Sequence, residues 1–390
     1  MNISRQTWVE INMDNLEYNI NEIRKFISTT TKLGVVLKAN AYGHGAIEVS
    51  RLCDYLDVDY ICVATLLEAI EIRKNNIYTP ILVMGGINES YVLEAIKNNI
   101  TITIFDINQA LKINEILSRS NKKVKVHIKI DTGFNRIGFK VRKGSNGFED
   151  VNKDTIKNLL KVLKSKNIDV EGIFTHLALA SEESDYSQYK KFMKILKEID
   201  KDNKIPIKHI CDSIAMCKYI DFHMDMVRVG ACIYGYNSRN EKLVLKEVMT
   251  LKSKIIQIKE IEKGEGISYD ATFVAQSNMK IGILPCGYAD GIPRNLSNKG
   301  YVLVNEKRCN IIGMVCMDQC IIDITNLSEE EYSDVVIFFG ENGPNLSIVS
   351  KIAQTNKNEI LSKISNRLSK VYLKNGSIIK VIDNINICNF

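Results

Sequence analysis

No two cysteines in this 390-residue chain stand at CxxC spacing, and no run of cysteine and histidine has the spacing of a zinc site. The ten cysteines, at 53, 62, 211, 217, 232, 286, 309, 316, 320 and 388, are scattered, and several fall inside apolar strand-like runs such as YICVA and QCIID. Free buried thiols in a reducing compartment are expected, and no metal. The lysines form no stripe with interleaved aromatics. The net charge of +6 is spread along helical patterns, as at Lys153, Lys157, Lys161 and Lys164, which reads as solvated surface and not as a nucleic-acid interface. No window approaches a membrane span, and the opening residues MNISRQTWVEINMDNL hold no apolar signal core. A cytoplasmic protein with no membrane partner is expected. Internal repeats and low-complexity segments are also missing.

What is there is ordinary globular material: 45% hydrophobic and 25% charged residues, enough for a large core. The length suits two domains, or one barrel plus an appendage. Eight short apolar runs punctuate the first part: GVVLK (34–38), YICVA (60–64), PILVMG (80–85), ITITI (100–104), KVHIKID (125–131), VEGIFTH (170–176), IKHIC (207–211) and MVRVG (226–230). Amphipathic stretches such as LLEAIEIRKN and SQYKKFMKILKEI separate them. Buried β-rich runs alternating with helices mean parallel strands with crossovers. Eight units predict a closed (β/α)8 TIM-like barrel over residues 1–236. A doubly wound sheet is the rival, but no GxGxxG follows the first run.

The polar stretch near Tyr236–Lys242 reads as a linker. Beyond it the runs TLKSKIIQIKEI, YVLVNEKRCNIIG, QCIIDI and DVVIFFG alternate like strands, with one late helix at about 346–368. Asn375-Gly376 marks a two-residue hairpin turn. Residues 237–390 therefore read as a mostly β C-terminal domain.

In a barrel the functional groups lie at the C-terminal ends of the strands. Lys38 ends the first run. A lysine there is either desolvated, with a lowered pKa suited to a Schiff base, or snorkels to the rim, and this element alone leaves both open. The fifth run brings Lys129, Asp131 and Arg136 to the same mouth, the sixth His176, the seventh His209 with Asp212 and Ser213, the eighth Arg228 with Gly230 and Ala231. Each alone is weak, since a lone histidine is more often core than catalyst. All on one face, they read as a site.

Taken together and in this order, VLKANAYGHG, HIKIDTGFNRIG, GIFTH, VRVGACIYG, GISY, GYADGIPR and VCMDQ resemble the alanine racemase family over nearly the whole chain. The resemblance implies a homodimer with shared sites, pyridoxal 5'-phosphate as cofactor, and racemisation of a small amino acid such as alanine, supplying D-alanine for peptidoglycan. Lys38 resembles the lysine that carries the cofactor, and Tyr269 the second base, supplied by the partner subunit. Arg228 is similar to the residue that donates to the pyridine nitrogen, and His209 to its support. His176 resembles the histidine that contacts the catalytic tyrosine, Arg136 the arginine near the cofactor phenolate, and Lys129 a lysine often carbamylated. Tyr42, Ser213, Gly230 and Ala231 match the phosphate cup. Met317 resembles a residue that binds the substrate carboxylate, while Tyr288 and Arg294 match the entrance. The chemistry agrees with these roles, because one base cannot easily serve both faces of Cα, and a lysine and a tyrosine on opposite sides can.

The chain departs from the family pattern at Asn40, Asp212, Val229 and Asp270. It departs again near the substrate, where Asn358 replaces a tyrosine, and at the entrance, where Met314 and Ser181 replace an arginine and an aspartate. Asn358 frees volume and offers an amide to a hydroxyl, so serine, or serine and alanine together, is the alternative substrate. A barrel decarboxylase would carry a glutamate where Arg228 stands. A non-enzymatic cofactor carrier would lack the β domain and Tyr269.

Overall fold

The computed structural model describes residues 3–383 apart from 142, 145–146, 152 and 237–239. Part of the expected linker and Cys388 lie outside the described residues.

Eight parallel strands close into a barrel: Lys32–Val36, Tyr60–Val63, Ile81–Val83, Ile100–Ile104, Val124–Asp131, Ile168–Phe174, Ile207–His209 and Met226–Val229. The last of these pairs back onto the first. Each overlaps one of the eight apolar runs of the sequence. Most of their residues are fully buried, as strands covered on one side by helices and on the other by the barrel interior must be. Side chains start the intervening helices. Thr65 and Glu68 form a capping box for Leu66–Lys74, Asp106 caps Ile107–Ser118, and Ser181 caps Glu182–Ile199.

The C-terminal part is mostly β, built on a seven-stranded sheet. Its order is Lys307–Asn310, Tyr301–Val304, Val336–Phe339, Met249–Ser253, Thr7–Asn12, Ser369–Lys374, Ser377–Ile382. The chain's first strand thus lies on the far side of the boundary expected at 236/237. Thr7–Asn12 pairs antiparallel with Met249–Ser253 and parallel with Ser369–Lys374, which ties both ends of the chain into one sheet. The hairpin turn stands where Asn375-Gly376 put it, both residues at positive φ. The single late helix does not form as one piece. It is two short helices, Leu346–Ile352 and Lys357–Ser362, broken where Gln354 turns to φ 55° and Asn356 caps the second. All nine described cysteines are free. Among the described residues no helix is long and apolar enough to cross a membrane.

Candidate active site

The strand ends converge on a cavity of about 460 Å3 lined by Lys38, Tyr42, Arg136, His176, Arg228 and Asn358, among others. The chain reaches it by an unusual route. After Lys38, four consecutive non-glycine residues, Ala39 to Tyr42, lie at φ 51–54°, in the left-handed region. Each such residue costs roughly 1–2 kcal/mol, so the surroundings must hold the turn. The Ala39 N–H donates to Glu68 Oε1 (2.7 Å), the same carboxylate that caps the neighbouring helix. Asn40 Oδ1 accepts from the Ala46 N–H (2.7 Å), and its Nδ2 donates to Asn366 Oδ1 (3.2 Å). An aspartate could not make that second bond, which gives this departure from the family pattern a local reason. His44 lies buried, stacked on Tyr234 at 4.2 Å, with Nδ1 near the carbonyls of Ala41 and Tyr42. Gly43 sits at φ 80°, and a Cβ there would stand 2.2 Å from the Leu361 carbonyl oxygen. The turn aims the Lys38 and Tyr42 side chains into one space, with Lys38 Nζ 6.0 Å from the Tyr42 ring centroid.

The cavity is electropositive. The Lys38 side chain keeps solvent exposure at the rim, while desolvation of its amine and the nearby Arg136 guanidinium lower its pKa. Burial, then Arg228 and Arg136, push Lys129 well below its ordinary value. Its ammonium faces the Phe174 ring at 4.6 Å. Burial and the charges of Arg228 and Lys129 bring His176 down to about 2, so it is neutral. Arg228 is itself buried: Nη2 donates to the Thr175 and Ile210 carbonyls (2.9 and 2.8 Å), and Nη1 donates to His209 Nδ1 (2.6 Å). His209 does not line the cavity but stands behind Arg228. Ser213 Oγ accepts from the Gly230 N–H at 2.9 Å, leaving its own proton free. A Cβ on Gly230 would stand 2.7 Å from the Tyr42 hydroxyl, so glycine keeps this cradle open. Burial raises the Tyr42 pKa to about 12, so the phenol stays a donor.

Asp212, a departure from the family pattern, immediately precedes Ser213 of the expected phosphate cup. Its Oδ1 accepts from the Ile214 and Ala215 N–H groups (3.0 and 2.9 Å), capping a short helix, while Oδ2 lies 3.9 Å from His176 Nε2. Asn358 is the one C-terminal residue in the cavity wall, and its Oδ1 is buried without a hydrogen-bond partner among the described residues.

The remaining C-terminal candidates are elsewhere. Tyr269 is 67% exposed and Met317 52%, and neither lines the cavity. Tyr288 and Arg294 line a separate hollow beside Thr355 and Lys363. Tyr269 opens a tight turn in which Ser268, Asp270 and Ala271 have positive φ. Asp270 stands where the family resemblance expects glycine, and aspartate is among the few residues that tolerate this conformation. Sequence reading missed Phe174, whose ring lies between Lys129 and Arg228 (4.6 and 5.2 Å). It also missed His127 behind His209. A glycine inside the run VEGIF was the one available signal.

Barrel, strand-end lysine and donor-only arginine are those of a barrel-type enzyme, with an amine of lowered pKa at the mouth of an electropositive cavity. The alanine racemase N-terminal domain family matches residues 11–238, and its C-terminal domain family matches 248–372. Alanine racemase 2 of Caldanaerobacter subterraneus is 38% identical, over 97% of each chain. The solved alanine racemase of Clostridium difficile superposes with a TM-score of 0.89 at 36% identity, covering 98% of this chain and 99% of that one. The fold extends to the alanine racemase of Bartonella henselae with covalently bound pyridoxal phosphate, at 24% identity and a TM-score of 0.83, covering 94% and 99%. The chain belongs to the alanine racemase family, which depends on pyridoxal phosphate.

Proposed function

We propose that this chain interconverts L- and D-alanine, using pyridoxal 5'-phosphate held at Lys38, and so supplies D-alanine for the cell wall. The observation that carries this is the pairing, in one cavity, of a lysine with a lowered pKa and a buried arginine that can only donate. The residues fit the cofactor. Arg228 would hold the ring nitrogen, Arg136 would stand near the phenolate, and Tyr42, Ser213 and the open backbone at Gly230 and Ala231 would hold the phosphate. When bound, the cofactor supplies the electron sink that acidifies the Cα proton.

The protein's part is proton handling and orientation. Lys38 Nζ, its pKa lowered by desolvation and by Arg136, accepts or returns the proton on one face of Cα. Arg228 keeps its own protons and so would only donate to the ring nitrogen of a bound cofactor, which would restrain the electron sink and limit side reactions. The phenolic oxygen of Tyr269 serves the other face. Exposed and outside the cavity of its own chain, Tyr269 enters the cavity of a second copy, with Tyr288 and Met317 beside it, in a homodimer with shared sites. Lys129, buried beside Arg228 and Arg136 with its pKa held well below the ordinary value, gives up its proton and adds carbon dioxide with release of a second proton, so that a carbamate anion faces Arg136 in place of a cation.

Chiral chromatography after incubation with a panel of L-amino acids tests the proposal. Racemisation of alanine, lost in Lys38→Ala, is expected. No turnover with cofactor bound would overturn it. A second reading rests on the unpartnered Asn358 Oδ1 in the cavity wall: this oxygen can accept from a β-hydroxyl, so serine is turned over beside alanine.

A further inference from the structure

Behind Arg228 a line of side chains runs through the barrel core. Arg228 Nη1 reaches His209 Nδ1 at 2.6 Å, and His209 Nε2 reaches His127 Nδ1 at 2.8 Å. His127 Nε2 then faces Glu171 Oε2 at 3.8 Å, too long for a direct hydrogen bond but close for a charge. That nitrogen has no other partner among the described residues. The Glu171 carboxylate is held by Thr101 Oγ1 (3.0 Å) and Lys125 Nζ (3.1 Å).

Two local features exist to make this line. The strand Ile168–Phe174 is bulged against Val124–Asp131: Val170 pairs with Val126 and Gly172 with His127, leaving Glu171 as the extra residue. A bulge re-aims a side chain. At Gly172 a Cβ would stand 2.6 Å from Cε1 and Nδ1 of His127, so only glycine admits that ring.

The donors set the protons. A guanidinium cannot accept, so His209 Nδ1 must be bare. Neutral His209 then carries its proton on Nε2 and donates to His127 Nδ1, and neutral His127 points its own Nε2 proton at Glu171. The reversed arrangement would set an N–H of His209 against an N–H of Arg228 and a bare nitrogen of His127 against a carboxylate. Both ends of the line therefore oppose it.

We propose that Glu171 and His127 are positioning residues for Arg228, acting through His209. Their charge and tautomers hold His209 Nδ1 as a permanent acceptor, which fixes the guanidinium in the cavity. The consequence for turnover rests on the racemase reading above; the proton positions do not.

The test uses protein labelled with 15N at its five histidines. In the unaltered protein, His127 and His209 are expected to show protonated Nε2 and bare Nδ1. Glu171→Gln, equal in shape but uncharged, should move the signals of His127 and His209. His44 and His223, which bond backbone carbonyls away from the line, should stay. In the kinetic arm, Glu171→Gln and the near-isosteric His127→Phe should each lower kcat about threefold to tenfold with KM little changed, in protein that remains folded, His127→Phe melting a few degrees lower because the His209 N–H loses its acceptor. A proton on His209 Nδ1 in the unaltered protein would overturn the proposal. So would histidine signals indifferent to Glu171→Gln, or unchanged kcat in both folded variants of an active enzyme. Protein that shows the expected proton positions but racemises nothing would sink the racemase reading and leave the line standing.

Discussion

In the proposed reaction the barrel mouth and the Tyr269 turn carry the two ends, yet the chain treats them oppositely. At the mouth, the buried Arg228, Tyr42 and Ser213 are drawn together with Lys38, which keeps solvent exposure at the rim, and the group is braced from behind by His209 and Glu68. At the turn, Tyr269 is exposed, in strained backbone, with no cavity of its own. A preorganised group set opposite an unpartnered one is what a site divided between two copies requires. In the proposed homodimer each chain would complete one half and present the other.

The largest effect should come from the finished half. Lys38→Ala is expected to lose racemisation altogether and, after borohydride treatment, to retain no attached cofactor. Fixation at another lysine, located by peptide mapping, would move the site. Tyr269→Phe comes next. It should cost about a hundred- to ten-thousand-fold in kcat, the usual worth of a general base, while the cofactor's absorption is kept. Near-normal turnover would place the second base elsewhere. Mixing these two variants then tests the division itself. Hybrid dimers contain one intact composite site and should regain activity, whereas silence after proven subunit exchange would mean that each chain builds its own site.

Acid sensitivity sharpens the contrast further, because the buried histidines all belong to the barrel half. Burial brings His44 and His127 down to about 4. The unfolded chain takes up their protons as pH falls below about 6.5, while the folded chain does not. The stability they contribute is complete above that pH and is lost as pH falls to about 4, on the order of 3 kcal/mol for each. Urea midpoints measured from pH 7 to 4.5 should fall steeply. A flat profile would show that these rings are protonated in the fold.

The smallest expected effect is at Asn358, the one place where the C-terminal part reaches its own chain's cavity. Asn358→Tyr should shift the serine-to-alanine ratio of kcat/KM towards alanine by roughly a few-fold to tenfold, the worth of one neutral hydrogen bond. An unchanged ratio would leave the asparagine without a role in substrate choice.

The eight barrel strands were readable because strands buried on both faces are continuous apolar runs, and VLKANAYGHG was readable because its residues are adjacent. The first strand was not. TWVEIN is short and half polar, and its partners lie more than two hundred residues along the chain at Met249–Ser253 and Ser369–Lys374, so no local pattern announces it. The break near Gln354 was hidden for another reason. The apolar periodicity of 346–368 runs through it, and only the Asn356-to-Glu359 cap marks the new start.

By itself, then, the sequence determined the barrel, the lysine at its mouth and the donor-only arginine, since these depend on residue type and short-range order. Tertiary structure alone decided the left-handed turn after Lys38, the line from Arg228 to Glu171, and the stranding of Tyr269 at the surface. Each of those depends on which distant groups meet. Asn366 and Glu68 hold a turn that local sterics oppose, Gly172 opens room for a ring from another strand, and Tyr269 stands exposed with no hydrogen-bond partner among the described residues of its own chain. Such distances are set by closure of the barrel and the docking of the β sheet upon it, and no stretch of neighbouring residues contains them.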